Sequence, residues 1–248
     1  MPLRPGNTKL GQLVHQWSIP SGLKHICIGA TSACLLLCYA MQHHYRRGNV
    51  RDAMDRNYHE TLRQDFAAVM CGWIRSLFAR VVRVHASGEF YDIAYVQKWI
   101  EISKRNPTVI FYAYTRSWRE PTLLPALREL AQQPNFILWY SCDHETGAPP
   151  RTKDVRRAYM MTSDEDLPKY QVDLFFRDRQ GTVRKWVKNT LVCPAENGVT
   201  SVTCSKCQLC FKYKPIPQRK QNVQYPELRR AWSQDDLSVF PVSSVLRS

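Results

Sequence analysis

The 248-residue sequence has no apolar run long enough to cross a bilayer, few acidic residues for its many basic ones, and no internal repeat. The one apolar stretch near the start, Ile26 to Ala40, is broken by Thr31 and Ser32, and it is shorter than the ~20 residues a membrane helix requires. It also begins too far into the chain for a secretory leader. A membrane or secreted protein is therefore not expected, and a cytoplasmic one is. Asp and Glu number 21 against 35 Lys and Arg, a net charge of +14. That shortage of acid favours contact with a polyanion such as nucleic acid or with a phosphorylated small molecule. Charge alone names no partner, because the basic residues (Arg46, Arg47, Arg51, Arg56, Arg151, Arg156, Arg157, Arg219, Lys220, Arg229, Arg230) are scattered along the chain.

Cysteine, by contrast, is plentiful. Seven of the nine fall into two tight groups while Cys71 and Cys142 stand alone, a distribution that argues for metal over disulfides. With 44% hydrophobic residues the chain can bury a core of its own.

The hydrophobic pattern alternates between two periods. After a start rich in Pro, Gly and Asn, residues 13–19 read as a first strand. Ala53, Met54, Leu62, Phe66, Val69, Met70, Trp73, Ile74 and Leu77 recur three and four apart, as in one or two amphipathic helices. A strand over 80–85, a helix through Tyr95, Val96, Trp99 and Ile100 up to Asn106-Pro107, and a strand over 108–115 follow. A helix over 121–132 and a strand over 136–141 complete the regular part. Weaker strand signals lie at 155–161 and 172–176. Such alternation calls for parallel strands with crossovers of one hand, a sheet that is open or curled into part of a barrel.

The chemistry concentrates in three places. Cys27, Cys34 and Cys38 are separated by six and then three residues. Three thiolates suit a 4Fe-4S cubane with one iron left free, whereas structural zinc wants four ligands, a set that His25, His43 or His44 can complete. The second group, Cys193-Pro194 with Cys204, Cys207 and Cys210, puts four thiols within eighteen residues. Close spacing and a remote cysteine followed by proline are similar to ferredoxin-type ligation, with tetrahedral zinc on four thiolates as the rival. Cys71, on an apolar helix face, and Cys142, at a strand end, are read as core. The third place is the carboxyl end of the strands, where α/β folds bind ligands. His85, Ser87, Gly88 and Glu89 end the second strand, Thr115 and Arg116 the third, and Ser141 and Asp143 the fourth. His85 reads equally as a satisfied structural histidine, and Arg116 as a surface residue or, with Trp118, as a platform for a base.

Asn7-Thr8-Lys9-Leu10-Gly11, Cys38-Tyr39-Ala40, Arg83 through Tyr91, Trp99-Ile100-Glu101-Ile102, Phe111 through Trp118 and the cysteine-rich end together resemble the gene product 88 domain family of bacteriophages, plasmids and bacteria. The resemblance runs from Asn7 to about Phe211 and supplies no activity. A second, weaker resemblance is to the radical S-adenosylmethionine enzymes. It rests on the order of features: a three-cysteine loop after the first strand, Ser87-Gly88-Glu89 after the second, and Ser141-Cys142-Asp143 after the fourth. That resemblance implies a free iron binding S-adenosylmethionine. Two departures stand against it: a cysteine spacing of six and three rather than three and two, and a single glycine in the glycine motif.

The expectation is thus an α/β protein with a partial parallel barrel over residues 1–190, a cysteine-rich metal lobe over 191–214 and an irregular basic tail over 215–248. The expected function is that of an iron–sulfur protein with one or two 4Fe-4S clusters, of radical S-adenosylmethionine type and acting on a nucleic acid or nucleotide. The alternative is a zinc-stabilised nucleic-acid-binding or phage accessory protein without catalysis.

Overall fold

The computed structural model describes residues 3–177, 192–196 and 202–212. The expected tail over 215–248 and the boundary near residue 190 lie outside the described residues, as do the side chains of His43 and His44. Among the described residues, seven strands form one sheet in the order in which they follow along the chain. They are β1 (Arg4–Pro5), β2 (Val14–Ser18), β3 (Val81–Ser87), β4 (Ile110–Thr115), β5 (Phe136–Cys142), β6 (Val155–Met161) and β7 (Leu174–Arg177). β1 runs antiparallel to β2, and all other neighbours are parallel. The fold is α/β with a mostly parallel sheet, as the alternating periods require. The free edge of β7 meets Val192 in one parallel bridge, and no described pairing returns from β7 to β1.

The long apolar period of residues 50–78 resolves into two helices, α2 (Gly48–Leu62) and α3 (Phe66–Ser76), after the short α1 (Ser32–Leu36). The break falls at 63–65, where Arg63 Nη2 pairs with Asp65 at 2.7 Å. α4 (Ile93–Arg105) starts where the Asp92 carboxylate accepts the Tyr95 amide at 2.6 Å, and it ends with Lys104 and Arg105 facing the negative pole of the helix. α5 (Leu124–Ala131) has a proline in its first turn, which needs no donor there. No described helix is long and apolar enough to cross a membrane.

Alternation along each strand sorts its residues between two cores. Trp17, Val82, Val84, Phe111, Ala113, Leu138 and Tyr140 face the helices and pack with Phe66, Tyr95, Trp99 and Leu127. The opposite parity, Val14, Val81, Tyr112, Ile137, Trp139, Ala158 and Leu174, makes a second, smaller core closed by Leu10 and Phe211. All the long helices cover one face, the outcome when every crossover turns the same way. The other face is left for the cysteine-rich segment. That segment therefore lies against the sheet face. Cys71 and Cys142 are both wholly buried, as core cysteines.

Candidate metal centres

The first cysteine group sits on the loop after β2 and is tied to the strand tips. The Thr31 hydroxyl accepts the Cys34 amide at 3.0 Å, capping α1, and donates to Asp143 Oδ2 at 2.6 Å. Glu145 takes the next two amides of the same turn, Ser32 and Ala33, each at 2.9 Å. Arg119 Nη1 donates to the Gly29 carbonyl at 3.0 Å. Gly29 itself lies so near that a Cβ there would stand 2.0 Å from the Arg116 carbonyl oxygen. Cys27, Cys34 and Cys38 are half-buried free thiols that bear on one another electrostatically, and Cys27 Sγ accepts the Gly22 amide at 3.3 Å. Burial, reinforced by Glu89 and the other two thiols, pushes Cys27 up to about 12. Burial also pushes Cys34 up, against the pull of Arg116.

Beneath the loop, Glu89, Thr115, Arg116 and Asp143 meet in one network. Glu89 Oε2 accepts from the Thr115 hydroxyl at 2.5 Å and from the Ser117 hydroxyl at 3.1 Å, and Oε1 accepts the Arg116 amide at 2.8 Å. Burial raises the Glu89 carboxyl although these donors favour its anion. Arg116 Nη1 donates to Asp143 Oδ2 at 2.6 Å, and Asp143 Oδ1 accepts the Glu145 amide at 2.9 Å. Asp143 is fully buried. Arg116, which the sequence left open as a surface residue, is thus an interior cation.

The other edge residues do different work. His85 lies in the helix-side core, its Nε2 at 2.8 Å from the Tyr95 hydroxyl, which also accepts from Trp17 Nε1 at 2.9 Å. Desolvation, with Arg83 adding, lowers His85 to about 3, so the ring is neutral. The Ser87 hydroxyl donates to the Ile19 carbonyl at 3.0 Å and stitches β3 to the end of β2. Gly88 has φ +89°, and a Cβ on it would meet Ile19 Cγ1 at 2.2 Å. Ser141 gives its carbonyl to Trp118 Nε1 at 2.8 Å. Of the eight edge candidates, Glu89, Thr115, Arg116 and Asp143 converge below the cysteine loop, and His85 does not.

The second group is brought together on the opposite face. Cys204 and Cys207 occupy one turn, α6 (Cys204–Cys207), capped by Thr203 and ended by Gln208 at φ 56°. The amino-terminal segment hooks this turn in place. Cys204 and Ser205 donate their amides to the Lys9 and Leu10 carbonyls at 2.8 and 2.9 Å, and Ser205 Oγ accepts the Leu13 amide at 3.1 Å. Gly11, at φ +77°, has Ser205 Oγ only 2.6 Å from where a Cβ would be. Cys193 donates its amide to the β7 residue Phe175 at 2.9 Å, and Lys9 pairs with Glu196 at 2.9 Å. Trp139 Nε1 donates to the Cys210 carbonyl at 2.9 Å.

All four thiols line a single, almost wholly apolar pocket of about 350 Å³, its solvent mouth included. They act on one another electrostatically, and burial pushes Cys193 up to about 12 and Cys210 higher still. Cys193 thus joins the last three cysteines. Among the described residues, no three His, Cys, Asp or Glu side chains stand close enough to surround a single metal ion. The amino-terminal hook, Arg83 and the tyrosines around it lie in segments that carry the family resemblance, but the contacts they make join parts of the chain too far apart for spacing to reveal.

The family model described as gene product 88 matches residues 2–213. The Gene 88 protein of Mycobacterium phage L5 is 26% identical over 223 residues, which cover 83% of this chain and 85% of that protein. The Gene 88 protein of Mycobacterium phage D29 is 24% identical over 225 residues, 83% of this chain and 86% of that one. No solved structure matches.

Proposed function

The chain belongs to the gene product 88 family, and from the two cysteine centres of this member we propose that it is an iron–sulfur protein. The observation that carries the reading is the convergence of Cys193, Cys204, Cys207 and Cys210 on one apolar pocket. Zinc bonded to sulfur at about 2.3 Å draws its ligands to roughly 3.8 Å from one another, whereas cysteines on a cubane sit on different irons and stand wider apart. The donor set is all sulfur, and its apolar walls keep water from the ligands.

Cys27, Cys34 and Cys38 would hold a second cluster with one iron free of protein ligands. A reduced cluster of that kind supplies an electron for reductive cleavage of a bound sulfonium such as S-adenosylmethionine. The residues around it have definable tasks. Asp143, Thr31 and Glu145 fix the loop, and Arg116 keeps the Asp143 charge balanced. Glu89 and Thr115 stand beneath the open side of the loop as polar contacts for a cofactor. The consecutive parallel strand order supports a sheet curled as a partial barrel with this loop at its carboxyl rim. The net charge of +14 supports a nucleic acid, a nucleotide or another phosphorylated molecule as substrate. Nine free cysteines support a reducing, cytoplasmic setting.

The rival reading, a zinc-held nucleic-acid-binding protein without catalysis, draws on the Cys204-Ser205-Lys206-Cys207 turn, whose shape also serves zinc ribbons. Iron, sulfide and zinc content with an absorption spectrum, on protein purified without oxygen, separates the two. The expected result is about four irons and four sulfides per chain for each loaded centre, partly lost in a Cys27, Cys34, Cys38 triple-alanine variant. Zinc alone overturns the proposal and turns attention to nucleic-acid binding and its salt dependence.

A further inference from the structure

Between the two cysteine centres lies a cation that has, among the described residues, no carboxylate paired with it. Arg83, on β3, points to the helix-free face of the sheet. Its Nη2 donates to the Tyr39 hydroxyl at 3.3 Å, and its guanidinium carbon lies 5.9 Å from the centre of the Tyr114 ring. Tyr39 directly follows Cys38 and donates its hydroxyl to the Ala86 carbonyl. Tyr112 and Tyr114 pack in the same small core as Cys204 and Cys210. The Tyr114 hydroxyl is near enough to Cys210 for each to shift the other's titration, yet it is outside hydrogen-bond geometry and has no other partner. Arg83 Nε is likewise buried without a partner.

The groups that bear on this charge are hydroxyls and thiols: Tyr39, Tyr112, Tyr114 and Cys204. Of the two more deeply buried arginines, Arg116 has Asp143, and Arg157 donates to the Pro149 and Gln171 carbonyls. Lys9, which also acts on Cys193 and Cys204, has Glu196. A half-buried cation that lacks a counter-charge is costly, and such cations persist where an anion is present.

We infer that Arg83 is the counter-charge of the cluster carried by Cys193, Cys204, Cys207 and Cys210, and that it favours the cluster's reduced form. The inference rests on the iron–sulfur reading above. A cluster gains one negative charge on reduction, and a fixed positive charge nearby stabilises the more negative state. Arg83 thereby sets the potential of the second centre, while its bond to Tyr39 reaches the first.

The test uses the full chain in the Cys27, Cys34, Cys38 triple-alanine background, so that only the second centre is read. Arg83→Met, Arg83→Gln and Arg83→Lys are compared with the parent by iron and sulfide content and by a redox titration followed in the visible spectrum. In Arg83→Met or Arg83→Gln the reduced form is expected to lose about tenfold in relative stability, a midpoint lower by about 59 mV for one electron. Arg83→Lys stays near the parent. Iron loading that survives in Arg83→Lys but fails in both neutral variants also supports the assignment. Iron-loaded neutral variants with an unmoved midpoint overturn it alone, as does equal loss of iron in all three variants. A parent without iron overturns the cluster reading and this inference with it.

Discussion

Replacing Asp143 with alanine should loosen the molecule at the point where the first cysteine loop meets the sheet. The side chain is 0% exposed and the Arg116 side chain 7%, with 2.6 Å between Oδ2 and Nη1. Removing one member of a buried pair strands the other, at a cost of about 3–5 kcal/mol. The Thr31 hydroxyl loses its 2.6 Å acceptor as well, an effect of about 1 kcal/mol. A total near 5 kcal/mol, with a urea m-value of about 3 kcal/mol/M, lowers the midpoint by roughly 1.7 M. Asp143→Asn keeps the shape and should lose less. The cycle with Arg116→Met is the sharper measurement, because the double variant no longer buries a lone cation and should be less destabilised than the two single losses added together. Thiol labelling of Cys34 in the folded protein should quicken in Asp143→Ala as the Thr31 tether is lost. A single variant within about 1 kcal/mol of the parent, or strict additivity in the cycle, refutes the view that this ion pair anchors the loop.

Gly29→Ala sets a Cβ against backbone, 2.0 Å from the Arg116 carbonyl oxygen; the loop must move, and a loss of about 1–3 kcal/mol is expected in thermal unfolding. For His85, held down to about 3 against an ordinary 6.5, the unfolded chain binds the proton that the folded one refuses. Its contribution therefore makes stability rise with pH between about 3 and about 6.5, by at most about 1.4 kcal/mol per unit, and leaves it flat above. The raised Glu89 carboxyl works in the opposite sense above its ordinary range, so the comparison of the parent with His85→Gln across pH is what isolates the histidine. An unchanged slope in that variant contradicts its neutral burial. Gly11→Ala, at φ +77° and facing Ser205 Oγ, should release the hook on α6, seen as faster labelling of Cys204 and Cys207.

The order of strands and helices was legible because burial on two faces leaves a period in the sequence. Residues 13–19, 80–85, 108–115 and 136–141 each contain or overlap a strand, and Cys71 and Cys142 lie in the core where apolar surroundings put them. The two-residue β1 was not legible, since Arg4 and Pro5 carry no strand pattern and owe their state to pairing with β2. His85 shows the limit at the strand tips. Its position at the end of β3 is the same whether the ring points to solvent or to Tyr95, and only the packing of α4 against the sheet turns it inward.

The sequence by itself determined the α/β class, the two cysteine groups and the residues at the carboxyl edge, because hydrophobic period and ligand spacing are local properties. Only the tertiary structure decided that Cys193 shares a pocket with residues 204–210, that Arg116 is balanced by Asp143, and that Arg83 Nε is buried without a partner among the described residues. These are relations between segments far apart in the chain, and no spacing records them. They exist because the parallel strands bring their edges and faces into register, so that charge and burial on one strand must be met by groups from another.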